Sequence, residues 1–356
     1  VKIWGAGISG LAAAWHLEKQ GKHPVVYEAK KRIGGWIETE IDEETAIELG
    51  PRTFSTYRSP LLLALIQEMG LEVVYSKPKT RYIYFQGKLR SAKKMALGCS
   101  YEWFKEPFVK GEVGEETIDQ FARRKFGKKI AERLVDPIVR GIYGGDSTEL
   151  SFDACFPGID KRRSLFAQMG KGGGLFTIRG GMQRLVDALG RRVEVRLGEA
   201  LSTRGEGISA LPPWEIGAVL NDPTLQKWPV AKMKVVAVMY ERAKFPEGYG
   251  YLVPKGERSA VMGAIFDSEI FGGRPRATVM LKEGGAEEAI GALHDQAGIQ
   301  GRVVRVIERE TRLPLYTIGH KERVRTIQER YPEIRFIGNY LIGPSVENCL
   351  KKSFEL

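Results

Sequence analysis

The residues whose types and spacing best suit chemistry are Gly5-Ala6-Gly7-Ile8-Ser9-Gly10 and, about 20 positions later, Glu28. Gly5 permits a tight strand-to-helix turn, and Gly7 lets the backbone approach a pyrophosphate. Gly10 lets the helix pack closely on its strand. The helix start offers free N–H groups to an anion, and the Glu28 carboxylate would accept hydrogen bonds from a ribose. With 42 glycines in 356 residues, a bare GxGxxG arises by chance about 0.6 times per chain, so context decides. A decoy shows why. Gly205-Glu206-Gly207-Ile208-Ser209-Ala210 also fits the pattern, but Leu211-Pro212-Pro213 follows, where no helix starts in register. No Ser/His/Asp, Cys/His or paired-carboxylate arrangement stands at convincing spacing, so no catalytic side chain is assigned. Cys99, Cys155 and Cys349 lie far apart, and the four histidines are scattered; neither set spaces a metal site or a disulfide framework.

The elements that must position the first motif are legible around it. Residues 1–4 read as a short buried strand and 11–19 as an apolar helix stopped by Gly21; 24–27 read as a second strand. Further on, 59–70 predicts a helix, and 81–85 and 88–90 a strand pair turned at Gln86-Gly87. From 91 to about 171 the pattern becomes helical, including 117–126 and 130–138. A glycine-rich break at 170–174 precedes a helix that reaches Leu189. Residues 193–195 read as a strand, and 208–213 as a strand ending in a proline turn. Strands at 235–240, 261–265, 278–281 and 302–307 with a helix at 287–297 suggest a second, antiparallel sheet. A last strand at 335–339 leads to a closing helix from about 345.

Arg32-Ile33-Gly34-Gly35-Trp36-Ile37 and Glu48-Leu49-Gly50-Pro51-Arg52 follow the acid, where a nicotinamide enzyme would run into another strand and helix. This second glycine pair resembles the FAD fingerprint of the flavin amine oxidase superfamily. Over almost its whole length the chain resembles the oxygen-dependent protoporphyrinogen oxidases. Besides the glycines, the resemblance is carried by Arg81-Tyr82-Ile83-Tyr84, Asp136-Pro137-Ile138-Val139-Arg140-Gly141-Ile142-Tyr143-Gly144-Gly145-Asp146 and Cys155-Phe156-Pro157. It continues through Leu252-Val253-Pro254, Tyr316-Thr317-Ile318-Gly319-His320, Gly338-Asn339 and Val346-Glu347-Asn348-Cys349.

The resemblance implies an α/β (α+β) protein. A Rossmann-like FAD-binding domain would comprise residues 1–60, 176–230 and 322–356. An antiparallel-sheet substrate domain would comprise 61–90 and 231–321, with a helical insertion at 91–175. It implies non-covalent FAD held by Gly5, Ala6, Gly7, Ile8, Ser9, Gly10, Glu28, Arg32, Gly35, Trp36, Gly50, Pro51, Arg52, Gly338, Asn339 and Val346. The implied reaction removes six electrons from protoporphyrinogen IX to give protoporphyrin IX in haem synthesis. Hydride passes from a methylene bridge to the flavin, and dioxygen reoxidises the flavin to give hydrogen peroxide. Arg81 would pair with a propionate, a task that suits its bidentate guanidinium. Tyr249, standing where the family usually has Phe, and Leu252 would clamp the macrocycle. Gly141 would present its carbonyl to the pyrrole N–H groups, and Met280 would line the pocket. The family usually carries a longer excursion, with a hairpin beside the adenine, than residues 196–208 provide here.

Three other readings stay open. A soluble relative oxidising coproporphyrinogen III to coproporphyrin III shares nearly every motif, an amine oxidase shares the fold, and a degenerate FAD-fold binding protein would fit the shortened segments. The net charge of +11 concentrates between residues 73 and 101, which hold Lys77, Lys79, Arg81, Lys88, Arg90, Lys93 and Lys94 and no carboxylate. No nucleic-acid motif accompanies them, so an anionic membrane surface or a carboxylate-bearing tetrapyrrole is the expected partner, and nucleic acid is not. Trp103, Phe104 and Phe108 among lysines suggest peripheral membrane contact through residues 91–110. No leader is visible before the first strand and no apolar run approaches ~18 residues. The expectation is a cytoplasmic protein, peripheral on the inner face of the membrane. Oligomeric state is not readable.

Overall fold

A computed structural model describes the chain except residues 77–79, 100, 102–105, 107–108, 110–113, 165–173, 201–204 and 258. The chain divides into two compact units. The first comprises Val1–Tyr75, Gly173–Pro229 and Gly319–Leu356; the second comprises Ser76–Gly172 and Val230–Ile318. The helical stretch expected as a third domain belongs to the second unit. The helix Pro60–Glu68, expected in the substrate domain, belongs to the first. The reason is a long-range cap: the Glu347 carboxylate accepts the N–H groups of Leu61 and Leu62, each at 2.9 Å.

In the first unit, five parallel strands run in the order Glu194–Leu197, Val25–Glu28, Lys2–Trp4, Gly207–Ser209 and Ile334–Phe336. Successive side chains of a strand point to opposite faces. Ile3 accordingly joins a core with Leu11, Ala12, Ala13 and Leu17 of the helix Ile8–Lys19, and with Leu185, Leu189 and Leu350. Trp4 joins a second core with Ile216, Leu220, Trp228, Ile327 and Phe336 on the other face. Helices on both faces and short strands buried on both sides are what a parallel sheet requires. A hairpin, Thr39–Asp42 with Thr45–Glu48, and three short strands (Phe54–Ser55, Leu175–Ile178 and Val73–Ser76) complete the unit.

Gly207–Ser209, the decoy, pairs directly with Lys2–Trp4. The proline turn expected after it is instead a helix, Pro213–Leu220. Proline is tolerated at the first helical position because its missing N–H has no intrahelical acceptor there.

The second unit is built on a seven-stranded sheet in the order Val303–Pro314, Val230–Tyr240, Arg276–Leu281, Val261–Ile265, Gly250–Leu252, Arg81–Phe85 and Lys88–Ser91. All neighbours are antiparallel except one: Gly250–Leu252 and Arg81–Phe85 run parallel, a departure from the wholly antiparallel sheet expected. Val236, Val238, Tyr251, Val261 and Val279 pack under the helix Ala286–Ala297. Ile83, Ala231, Leu252 and Leu313 meet the helical stretch from the other side. That stretch opens on a Thr117–Gln120 capping box. Its helix Ile118–Ile130 breaks at Gly127 (φ 78°), passes a π turn at Ala131–Val135 and resumes as Asp136–Tyr143. The helix expected over 130–138 is uninterrupted, with the π turn inside it; the break lies just before it, at Gly127. Trp103, Phe104 and Phe108, and Lys77 and Lys79, lie outside the described residues.

Asp222 ties the second face of the parallel sheet. Its carboxylate accepts from Thr224 N at 2.7 Å, Arg330 at 2.7 Å and Tyr331 Oη at 2.8 Å. Burial works against its charge, but the bonds from Tyr331, Arg330 and Thr224 outweigh it and lower the pKa to about 2. A depressed carboxyl stabilises the fold above its unfolded pKa and loses that contribution as pH falls through the folded one. Asp222→Asn therefore costs about 1–2 kcal/mol near pH 7. Urea unfolding should show that deficit shrinking between about pH 4 and pH 2.

Candidate functional site

The cradle is assembled in the first unit. The strand Lys2–Trp4 ends at Gly5, whose φ of 98° makes the turn, and the helix Ile8–Lys19 begins at once with Gly7 as an uncapped N-cap and no acid in its first turn. A Cβ on Gly10 would overlap the Gly5 carbonyl oxygen, so helix and turn touch backbone to backbone. Gly7 differs. A Cβ there would meet nothing nearer than Gly35 Cα at 3.9 Å; the space beside it is open. Ala6, Ile8 and Ser9 are at most 9% exposed, so this segment contributes backbone N–H groups rather than side chains. Glu28 Oε2 accepts Ala6 N–H at 2.9 Å and Oε1 accepts Lys30 N–H at 2.9 Å. These bonds hold the carboxylate at the loop and leave lone pairs for hydroxyls.

The second glycine pair is laid on the first. Gly34 N–H donates to Ala6 O at 2.8 Å, and Gly7 and Gly34 form a parallel bridge. A Cβ on Gly35 would sit 3.2 Å from Gly7 Cα. Arg32, expected on the cofactor, spends its guanidinium on this loop: it donates to Gly35 O at 2.8 Å, Ile37 O at 3.3 Å and Glu38 Oε2 at 2.9 Å. Gly50 packs so closely on Trp36 O that a Cβ would overlap it. Pro51 is half-buried, and Arg52 is 7% exposed. Gly338, at φ 128°, turns the chain from Ile334–Phe336 into Asn339–Ile342. The Val346 side chain is buried at the head of the helix Val346–Phe354, which Ser353 ties to Ser9 O at 2.8 Å. Burial pushes the Cys349 thiol up to about 11, so it stays protonated.

Sequence reasoning missed a support. Glu48, buried, accepts Met182 N–H at 2.6 Å and the Thr39 hydroxyl at 2.9 Å, fixing the hairpin to the start of the helix Gln183–Gly190. Only a tertiary contact of 134 residues' separation makes that carboxylate meaningful.

The substrate candidates gather in the second unit. Register places Ile83, Leu252, Gly263, Met280 and Val235 in one row across five strands, hence on one face of the sheet. Arg81 lies opposite Gly250, two residues from that row, with its guanidinium 5.2 Å from the Tyr249 ring centre. Tyr249 is held at the strand start by N–H donation to Thr80 O at 2.8 Å. Gly141, on Asp136–Tyr143, faces Leu252 so closely that a Cβ would stand 2.6 Å from Leu252 Cδ2. Asp136 is buried among these elements and its carboxyl is raised; burial drives the rise against hydrogen bonds from Ser147 and Lys255 N–H. Among the described residues no cluster of His, Cys, Asp or Glu could hold a metal.

The model of the flavin containing amine oxidoreductases matches residues 8–203, more than half of the chain. The chain belongs to that family. It is therefore an oxidoreductase. A flavin together with a dinucleotide cradle means FAD, and a glycine-lined gap beside a carboxylate-tethered loop fits that group. Human protoporphyrinogen oxidase is 27% identical, over 99% of this chain and 96% of its own length. Coproporphyrinogen III oxidase of Propionibacterium freudenreichii is 24% identical over 98% and 88%. The alignment with the human protein runs over 458 positions against 356 residues here, so the relative carries insertions that this family member lacks. In fold, the chain matches a crystal structure from Exiguobacterium sp. 255-15, assigned by name to the protoporphyrinogen oxidases, with a TM-score of 0.85 at 20% identity and coverage of 99% and 96%. It matches reduced UDP-galactopyranose mutase with a TM-score of 0.75 at 14% identity and coverage of 99% and 92%.

Gly7 and Gly10 separate binding from folding. Gly7→Ala should leave the melting temperature near wild type yet strip FAD during gel filtration, because its methyl enters the gap. Gly10→Ala should lower both, because its methyl meets backbone. Flavin absorbance per chain and thermal melts read the two effects.

Proposed function

We propose that this flavoprotein oxidises protoporphyrinogen IX to protoporphyrin IX, a six-electron dehydrogenation in haem synthesis with dioxygen as acceptor and hydrogen peroxide as by-product. The observation that carries the reading is the second unit's wall: the half-buried Leu252 and Met280, either side of Gly263 in one row, beside an exposed arginine at 81. An apolar tetrapyrrole with propionate arms has that same division of chemistry. FAD supplies the hydride acceptor when bound. The chain's own residues have other work. Leu252 and Met280 offer apolar surface, the Tyr249 ring orients the Arg81 guanidinium, and Arg81 anchors a carboxylate. Gly141 brings bare backbone to the Leu252 side chain. The names of the human and plant relatives support this substrate, and the name of the Propionibacterium relative favours coproporphyrinogen III as the second reading.

Porphyrin fluorescence, followed aerobically with the FAD-loaded protein and each porphyrinogen in parallel, tests the proposal. A faster rise with protoporphyrinogen is expected. Arg81→Ala should raise KM about tenfold or more, since a charged hydrogen-bonding partner is lost. Arg81→Lys should recover only part, having no bidentate fork. A faster rise with coproporphyrinogen would move the enzyme to the second reading, and no rise above the spontaneous rate with either would remove both.

We further propose a cytoplasmic location with peripheral attachment to the inner membrane face. Support comes from Lys88, Arg90, Lys93 and Lys94, all exposed, beside Leu97 and Tyr101, each 66% exposed. No helix among the described residues is long and apolar enough to cross a membrane. Co-sedimentation with phosphatidylserine vesicles should occur at low salt and weaken sharply above physiological ionic strength. Failure to sediment at low salt would end this part of the proposal.

A further inference from the structure

Leu252 is the residue on which the proposed substrate wall turns. The strand ladder and Val253 N–H, which donates to Met262 O at 2.9 Å, hold it in the sheet, and three further ties converge on the residues just after it. Lys255 N–H donates to Asp136 Oδ2 at 3.3 Å. Arg140 Nη1 donates to Val253 O at 3.3 Å. Lys255 Nζ pairs with Asp146, whose other oxygen accepts Thr148 N–H at 3.0 Å. The Ser147 hydroxyl closes the set by donating to Asp136 Oδ1 at 3.0 Å. Asp136 is the hub: it is 6% exposed, stands at the head of the helix that carries Gly141, and touches both the loop after that helix and the chain after Leu252.

We propose that Asp136 is a positioning residue for substrate, fixing the helix that carries Gly141 against the strand that carries Leu252. The inference rests on the porphyrinogen reading above for its substrate, and on geometry for the clamp itself. The two elements touch through the Leu252 side chain: a Cβ at 141 would stand 2.6 Å from Leu252 Cδ2, so any side chain there would push the tip of Leu252 aside. A released helix changes how much of the Leu252 face is open to the tetrapyrrole. Burial of a carboxylate is costly unless its hydrogen bonds are met, and here both oxygens are engaged. An apolar residue could fill the same volume, but it could not grip a loop hydroxyl and a strand-end amide together.

Asp136→Ala and Asp136→Asn, as full-length FAD-loaded protein, test the proposal. Asn keeps the shape, and its oxygen and amide can still bond the Lys255 N–H and the Ser147 hydroxyl, but without the charge both bonds are weaker. Flavin content should match wild type, since the cofactor residues lie in the other unit. KM for the porphyrinogen should rise about tenfold in Ala and about threefold in Asn, with kcat within about twofold. A fall in kcat at unchanged KM, or no change in either, overturns the proposal. A merely structural role would lower the melting temperature without that split. If Asp136→Ala does not fold, Asp136→Asn alone decides by the same criteria. Wild-type silence towards both porphyrinogens would strike the substrate assignment and not the clamp. Hydrogen exchange then decides: Asp136→Asn must speed exchange at residues 253–257 and leave residues 2–28 as in wild type. Unchanged exchange at 253–257 overturns the clamp.

Discussion

The approach of Gly10 to the Gly5 carbonyl is the constraint on which the cofactor unit depends. It sets the helix Ile8–Lys19 close on the sheet, where Ala12, Ala13 and Ala14 share a core with Leu11, Leu17, Ile3 and Val26. A helix start so placed directs its unbonded N–H groups at the turn instead of at solvent. The second glycine loop can then lie across the first, bonded at Ala6 O, and the Glu28 carboxylate can reach Ala6 N–H. One missing Cβ thus decides the distance between layers, and the other contacts inherit it.

The second unit solves a different problem with the same economy. A large apolar ligand needs a wide wall, and a sheet supplies one only if a face is left with small or half-buried side chains. Gly263 lies between Leu252 and Met280 in the row and keeps it low, while the opposite face is filled with Tyr251, Val261 and Val279 under a helix. Glu308, Glu310 and Arg312 alternate along the edge strand Val303–Pro314, where charge discourages pairing with other chains.

Local sequence carried much of this. The glycine motif, its strand and helix, Glu28 and the strand Val261–Ile265 could be read from periodicity and turn chemistry, because each is decided within a few residues. What escaped was decided elsewhere. Pro212-Pro213 looked like a turn, but a proline at a helix start is neutral. No element was expected over His320–Arg330, which is a helix packed on the second core through Val324 and Ile327. The charges after Ile307 hid the length of the strand Val303–Pro314. Among the site residues, Arg32 bonds its own loop at Gly35 O, Ile37 O and Glu38, contacts that no local pattern signals. Glu48 and Asp136 carry no local signature, since their partners lie 134 and 119 residues away.

The Glu347 cap on Pro60–Glu68 and the Ser353 bond to Ser9 have a consequence for the order in which this chain acquires its parts. On a ribosome, residues 76–318 emerge with every strand of the seven-stranded sheet present before the closing helix is made. The helices Ile8–Lys19 and Pro60–Glu68 appear first and wait longest for their partner. The parallel sheet likewise lacks its edge strand until Phe336 is out. Tight retention of the nucleotide is thereby a late event in synthesis, and a chain that stalls early carries an unfinished cradle. Cofactor capture reports that the helix Val346–Phe354 has been made and docked.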